Sequence, residues 1–329
     1  MTLVGWYAHH VGSGHVTRAL TVAPLLRSGM VILSSAPRPD DWPKDRWVAL
    51  PPDDDPTGTD YSAGGALHWA PLGSEGYRER MAVIAAWIRE ARPSALVVDV
   101  SAEVTLLART LGVPVATVVM AGDRRDQAHQ LSYDAATALV ACWPSDLHPV
   151  LGWQDRWDGK TTWTGAFSRF DARVPGPPPG MRRVALLWGH GGDPISDERV
   201  LRARRATPDW TWVGQSVIPP AEVWDVLCAS DVVVTHAGQN ALAEVAASRR
   251  PAVVLPQPRP HDEQRHLARA LAGAGLARSP GGWPGGDEWP ALLQSAVGDD
   301  AQGWTRWSDG RGASRMADAI DRLAARAAA

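Results

Sequence analysis

Three histidines and two glycines crowd the stretch "YAHHVGSGHVTRAL", residues 7–20, where a short apolar run gives way to a helical pattern. Histidine titrates near neutrality, so His9, His10 and His15 can pack, bind an anion or move a proton. His15 stands at the mouth of the predicted helix, directly after Gly14, and Arg18 follows one turn later. A second stretch, "THAGQNALAE" (235–244), places a predicted strand end at His236, a small-residue turn, and a helix start near Gln239. Free N–H groups and the positive dipole end at such a start suit a phosphate. Gly238 lets a ligand approach the backbone, and Glu244, farther along the helix, can accept hydrogen bonds from a ribose diol. After the next strand, "HDEQ" (261–264) brings Glu263 and Gln264 to another strand end, where they can hold sugar hydroxyls.

Strands are expected over 3–8, 30–35, 95–100 and 113–119, with helices over 16–26, 76–91 and 103–112 between them. This alternation predicts a parallel sheet with helices on both faces. The stretch "RFDARVPGPPPGMRR" (169–183) breaks it, because its prolines sustain neither a helix nor a central strand and make a stiff linker. Alternation resumes with strands near 183–189, 209–214, 231–238 and 251–256. The expected organisation is an N-terminal domain over 1–168, a proline-rich linker over 169–182 and a C-terminal domain over 183–329. Ligands of open α/β sheets bind beyond the carboxyl ends of the strands. That rule selects His10–His15, Asp99, "WGHGGDP" (188–194) and "THAGQNALAE", which line one cleft if the halves face each other. Asp99 can orient a histidine or cap the next helix, a cap that Ser101 can equally supply. Gly191 and Gly192 permit a tight turn beside a nucleotide, and Asp193-Pro194 suits a helix start.

The bulk properties narrow the function classes. With 329 residues, 45% hydrophobic and 21% charged, the chain can build two folded cores. A net charge of -3 supplies no basic field, so no nucleic-acid partner is expected. Cys142 and Cys228 lie far apart and form no metal-binding spacing, which fits a reducing cytoplasm. No signal segment or apolar run of membrane-spanning length is evident; a cytoplasmic location, with room for peripheral membrane contact, is expected. The 17 tryptophans are read as core packing and codon bias before sugar stacking. "AGDRRDQAHQ" (121–130), with Arg124, Arg125 and His129, reads as a solvated loop that could also meet an acidic acceptor.

The segment 230–277 resembles the donor-binding region of GT-B glycosyltransferases of the family 28 and UDP-glycosyltransferase type. His236, Gly238, Asn240, Glu244 and the Glu263-Gln264 pair fall on that signature. Ala241 departs from it where a Ser or Thr is common, and Glu263 replaces the usual Asp. "GSGHVTRAL" resembles the N-terminal Gly-x-Gly-His turn of the same superfamily. These resemblances imply two Rossmann-like domains with parallel sheets facing a central cleft, and a C-terminal helix (312–327) that crosses back to the N-terminal domain. They imply that His236 and Asn240 contact the diphosphate, Glu244 the ribose, and Glu263 and Gln264 the donor sugar. They also imply His15 as general base on an acceptor hydroxyl, with Asp99 as its partner. A base that titrates near the working pH suits that step, since a sugar hydroxyl is a weak acid.

The expected reaction is inverting transfer from a nucleoside-diphosphate sugar, with UDP the expected nucleotide, to a hydroxyl of a small molecule, a lipid carrier or a polymer. No Asp-x-Asp cluster is evident, so neither a metal nor a cofactor besides the donor is expected. Arg18 fits a related group better: "GSGHVTRALTVA" also resembles the turn of the UDP-sugar hydrolase of the pseudaminic-acid pathway, in which water replaces the acceptor. A nucleotide-sugar binding protein without catalysis is the third reading; it keeps Glu244 and Gln264 but does not depend on His15.

Overall fold

A computed structural model describes residues 2–10, 12–54, 58–189, 195–214 and 218–328. The first half begins with β1 (Leu3–Ala8), α1 (Gly14–Val22), β2 (Gly29–Ser34), β3 (Trp47–Ala49), α2 (Glu75–Ala91) and β4 (Ala95–Asp99). It continues with α3 (Ala102–Thr110), β5 (Val115–Val119), β6 (Gly122–Asp123), α4 (Gln127–Ala135), β7 (Ala138–Ala141), β8 (Val150–Leu151) and β9 (Thr161–Trp163). Seven of these strands form one parallel sheet in the order β3-β2-β1-β4-β5-β7-β9, and β6 pairs with β8 separately. The central strands read as unbroken apolar runs because helices cover both faces. One face packs Val4, Trp6 and Val97 on α1, and the other packs Leu33, Leu96 and Val98 against α2 and α3.

Local chemistry sets the boundaries. The predicted first helix stops at Val22, and Pro24 turns its last residues into a 3-10 turn over Ala23–Leu25. Ser101 caps α3 by accepting from the Val104 amide at 3.1 Å, which leaves Asp99 free of that duty. Between them Val100 holds φ 69, a costly conformation for a β-branched residue. The short strands β3, β7 and β9 lie outside the sequence expectation, being too brief to show a period.

The second half runs β10 (Arg183–Leu187), α5 (Asp197–Ala206), β11 (Thr211–Val213), α6 (Val223–Cys228), β12 (Val232–Thr235) and α7 (Gln239–Ser248). It ends with β13 (Ala252–Val254), α8 (Glu263–Gly273), α9 (Trp289–Val297), α10 (Trp304–Trp307) and α11 (Gly312–Ala328). Its parallel sheet has the order β11-β10-β12-β13. The proposed helix start at Asp193-Pro194 lies outside the described residues; α5 is capped by Ser196. Between the halves, the proline-rich stretch is tied at its end by Asp231, whose carboxylate accepts from the amides of Gly180 (2.6 Å), Met181 (2.9 Å) and Arg183 (2.9 Å).

An apolar cluster joins the halves, running from Val119, Tyr133 and Leu139 to Leu187, Val233 and Leu242. Trp6, Trp143, Trp157, Trp289, Trp304 and Trp307 are all fully buried, so these tryptophans pack. Helix α11 returns to the first half, where Met316, Ala317, Ile320, Leu323 and Ala324 make its buried stripe against Trp6, Val16 and Ala19. Asp321 anchors it there, accepting from the Arg27 amide (3.0 Å), the Ser28 amide (3.1 Å) and the Ser28 hydroxyl (2.8 Å).

Replacing Asp321 with Ala strands the buried Ser28 donors and is expected to cost about 2–3 kcal/mol. A lower urea midpoint checks this, and an unchanged midpoint contradicts the anchoring role.

Candidate active site

Parallel pairing of β1 with β4 sets Ala8 beside Asp99, so the turn into α1 and the end of β4 meet at one sheet edge. There His15 Nδ1 lies 2.9 Å from Asp99 Oδ1, and Arg18 donates to the same oxygen at 2.6 Å. Asp99 is fully buried and Arg18 nearly so. Burial pushes the Asp99 carboxyl up, but Arg18 and then His15 outweigh it and hold the group below its ordinary range. Burial pulls Arg18 down, and Asp99 outweighs that in turn, leaving the guanidinium above its ordinary value. An ionised carboxylate only accepts, so the His15 proton resides on Nδ1 and Nε2 carries the lone pair. His15 lines a cavity of about 680 Å³ to which both halves contribute.

The opposite wall is the start of α7. Gly238 offers no capping side chain, which leaves the first-turn amides free of a side-chain acceptor. The two helix starts are joined directly. Arg18 Nη2 donates to Gln239 Oε1 at 2.6 Å, and Asn240 Nδ2 donates to the Gly14 carbonyl at 3.2 Å. Gln239 Nε2 is buried with no hydrogen-bond partner among the described residues, a donor pair at the cavity wall.

His236 Nδ1 accepts from the Gly238 amide at 2.9 Å, which places its proton on Nε2 as a donor. Burial, with Arg259 nearby, lowers its pKa to about 4, so this donor is a neutral ring. Trp188 packs edge-on against it at 5.5 Å. Glu244 pairs with Arg169 of the linker at 2.9 Å, and burial pushes its carboxyl up against the opposing pull of that arginine. Glu263 also lines the cavity; burial raises its carboxyl, opposed by Arg124 at 4.0 Å.

Two further expectations meet contacts that the sequence does not show. Gln264 lines the cavity with its carboxamide oxygen already engaged. Its Oε1 accepts from the amides of Ala237 (3.1 Å) and Gln257 (2.9 Å), and its Nε2 faces His236 Nδ1 and Gln257 Oε1. These contacts hold the His236 turn. The loop around Arg124 is only partly solvated: Arg124 and His129 are buried, with Arg124 donating to the Ala121 carbonyl, while Arg125 stands in solvent beside Asp123. Gly191 and Gly192 lie outside the described residues. His9 and His10 stack at 4.7 Å, and burial followed by His15 lowers the His9 pKa to about 3.

Several cavity residues escaped the sequence reading. Arg80 is buried and contacts Asp53 at 3.0 Å, Tyr7 and Ser35; Trp69 and Tyr77 stand near it on the same wall. A buried arginine in an ordinary helical pattern gives no sequence signal. His68, Asp126 and His261 converge on His129 from separate loops, again without a local signature.

Residues 221–279 match the glycosyltransferase family 28 C-terminal domain. That span covers the α7 start, His236 and Glu263. Over that span the chain is similar to the family 28 C-terminal domain. A UDP-N-acetylglucosamine--N-acetylmuramyl-(pentapeptide) pyrophosphoryl-undecaprenol N-acetylglucosamine transferase of Chlorobaculum parvum is 34% identical over 113 residues, 34% of this chain and 28% of that protein. The protein of that name from Carboxydothermus hydrogenoformans is 46% identical over 54 residues, 16% of this chain and 15% of its own length. These matches therefore span under a third of each relative. Among solved structures, the glycotransferase of kitacinnamycin superposes with TM-score 0.68 at 17% identity, covering 98% of both chains. MurG of Acinetobacter baumannii gives 0.63 at 15%, covering 98% of this chain and all of that one. At such identities they establish the GT-B fold. No described helix of this GT-B chain is long and apolar enough to cross a membrane.

The buried neutral histidine gives a pH prediction. Unfolded, His236 takes up a proton near its ordinary value of 6.5; folded, it resists until about 4. Stability from this source is complete above about pH 6.5 and is lost as the pH falls toward 4, at about 1.4 kcal/mol per unit. His236→Asn is expected to flatten the acid limb by about one proton in denaturation followed against pH. An unchanged slope contradicts the buried neutral ring.

Proposed function

We propose that the protein is an inverting glycosyltransferase that moves a sugar from a nucleoside-diphosphate donor to a hydroxyl acceptor. The observation that carries the reading is the opposition of His15, oriented by Asp99, to the uncapped start of α7 across one cavity. His15 Nε2 removes the acceptor proton as its oxygen attacks the anomeric carbon. The bond from that carbon to the phosphate oxygen breaks, and its electron pair leaves with the diphosphate. Asp99 stabilises the imidazolium that forms. The α7 amides, the His236 Nε2–H and the Gln239 carboxamide meet the charge growing on the leaving group. This division needs no metal at the phosphates, because backbone dipoles and neutral donors face them.

UDP is proposed as the donor nucleotide, since the relatives matched are named for a UDP-sugar. Glu244, released from Arg169, takes the ribose, and Glu263 takes a hydroxyl of the transferred sugar. Those relatives are also named for a lipid-linked acceptor; an acceptor hydroxyl bound between His15, Trp69 and Tyr77 fits the lining of the N-terminal wall. We place the reaction in the cytoplasm.

The test is a donor panel of UDP-, dTDP- and GDP-sugars, with release of nucleoside diphosphate followed with and without pooled hydroxyl acceptors. Release dependent on acceptor, with kcat reduced about 10²- to 10⁴-fold in His15→Ala and donor KM little changed, is expected. Asp99→Asn is expected to lower kcat by at least about 10²-fold with the donor still bound. Equal release without acceptor contradicts transfer and indicates hydrolysis, and donor binding without turnover contradicts catalysis.

A further inference from the structure

At one side of the cleft, four groups from three separate segments converge. His68 comes from the loop before α2, Asp126 and His129 from the first turn of α4, and His261 from the loop entering α8. One ligand atom from each lies within 4.8 Å of all the others. His68, His129 and His261 line the main cavity, while Asp126 and His261 also line a shallow outer pocket. His68 Nε2 is 2.9 Å from Asp126 Oδ1, and His261 Nδ1 is 3.6 Å from Asp126 Oδ2. Two imidazole nitrogens thus approach opposite oxygens of one carboxylate. Nothing in the transfer chemistry above uses these groups.

We propose that His68, Asp126 and His261 form a divalent transition-metal site, of the zinc class, that pins the C-terminal domain to the N-terminal one beside the cleft. Two imidazoles and a carboxylate suit zinc and its neighbours, and the remaining position takes water. His129 is a positioning residue. Its Nε2 accepts from Arg124 at 2.8 Å, so its Nδ1–H donates to Asp126 Oδ2 at 2.6 Å and fixes the carboxylate. Asp126 is further held by accepting from the His129 amide at 3.0 Å as the α4 cap.

The third ligand arrives by close packing. His261 takes φ 60, and its carbonyl oxygen lies so near Gly122 that a Cβ there would stand 2.4 Å away. Gly122 pairs in the β6–β8 ladder of the first half, so the contact seats the His261 loop on the domain that carries the other two ligands. The adjacent charges are Arg124, Arg125 and Arg259 against Asp123, Asp262 and Glu263. Arg125 is already paired with Asp123, and Arg124 faces Glu263, which lowers the cost of adding a cation beside them. Binding exchanges N–H···O contacts for coordinate bonds.

The test uses the untagged full chain, stripped with chelator and titrated with Zn²⁺ in a calorimeter, with thermal unfolding as a second readout. One equivalent of Zn²⁺ is expected to bind, to raise the melting temperature, and to bind equally to His15→Ala, which excludes the neighbouring histidine cluster. Loss of a supporting partner costs about 10- to 100-fold in affinity, and loss of a ligand exceeds that. His129→Gln is expected in the first range, and His68→Ala and His261→Asn beyond it. Asparagine tolerates the left-handed backbone at position 261, so that variant folds. Failure of the parent to bind a stoichiometric equivalent, or binding undiminished in both His68→Ala and His261→Asn, overturns the proposal. Because the readouts are binding and melting, the outcome is separate from whether the cleft transfers a sugar.

Discussion

A carboxylate with no solvent exposure survives only beside charge of the other sign, and Asp99 is such a group. Arg18 supplies the charge at 2.6 Å, and His15 shares the same oxygen. The ion pair therefore does more than neutralise. It selects the histidine tautomer, aims the ring at the cavity, and, through Arg18 Nη2 and Gln239, ties the first helix of one domain to α7 of the other. Removing one partner would strand a buried charge at the point where the two domains meet.

The fold is arranged around that point. Neighbouring parallel strands β1 and β4 deliver His15 and Asp99 to the same sheet edge, and β12 delivers His236 and the α7 start to the facing edge. Val100, in a left-handed backbone, lets the chain turn from the Asp99 carboxylate into a helix capped by Ser101, so neither group does the other's work. On the far side Gln264 fixes the His236 turn through backbone amides, and α11 holds the start of the chain from behind. Val100 and His261, two residues with left-handed backbone, line the cleft, while an apolar cluster joins the two halves.

Much of this was legible in the amino-acid order. The ends of β1, β4 and β12 announce themselves as apolar runs, and each is followed by glycine, serine or histidine where a helix begins. His15, Asp99, His236 and the α7 start could therefore be placed by local rules. The Arg18–Gln239 bond could not, because it joins residues 221 positions apart and exists only once the sheets face each other. The backbone bonds of Gln264 were hidden because a carboxamide that binds backbone looks, in sequence, like one awaiting a sugar. Arg80 and the His68–Asp126–His261 group were missed for a related reason. Their partners come from loops, which carry no period to read, and tertiary packing alone assembles them. The short outer strands β3, β7 and β9 escaped because three or four residues cannot display an alternation.

The central claim is that the diphosphate of a donor rests on the α7 start, facing His15 across the cleft. A crystal structure of the His15→Ala protein with an intact UDP-sugar tests it most directly. The account predicts phosphate oxygens within hydrogen-bond distance of the Gln239, Asn240 or Ala241 amides and of His236 Nε2, with the anomeric carbon turned toward position 15. A nucleotide bound in the cleft with its phosphates away from α7, or bound outside the cleft, would contradict it.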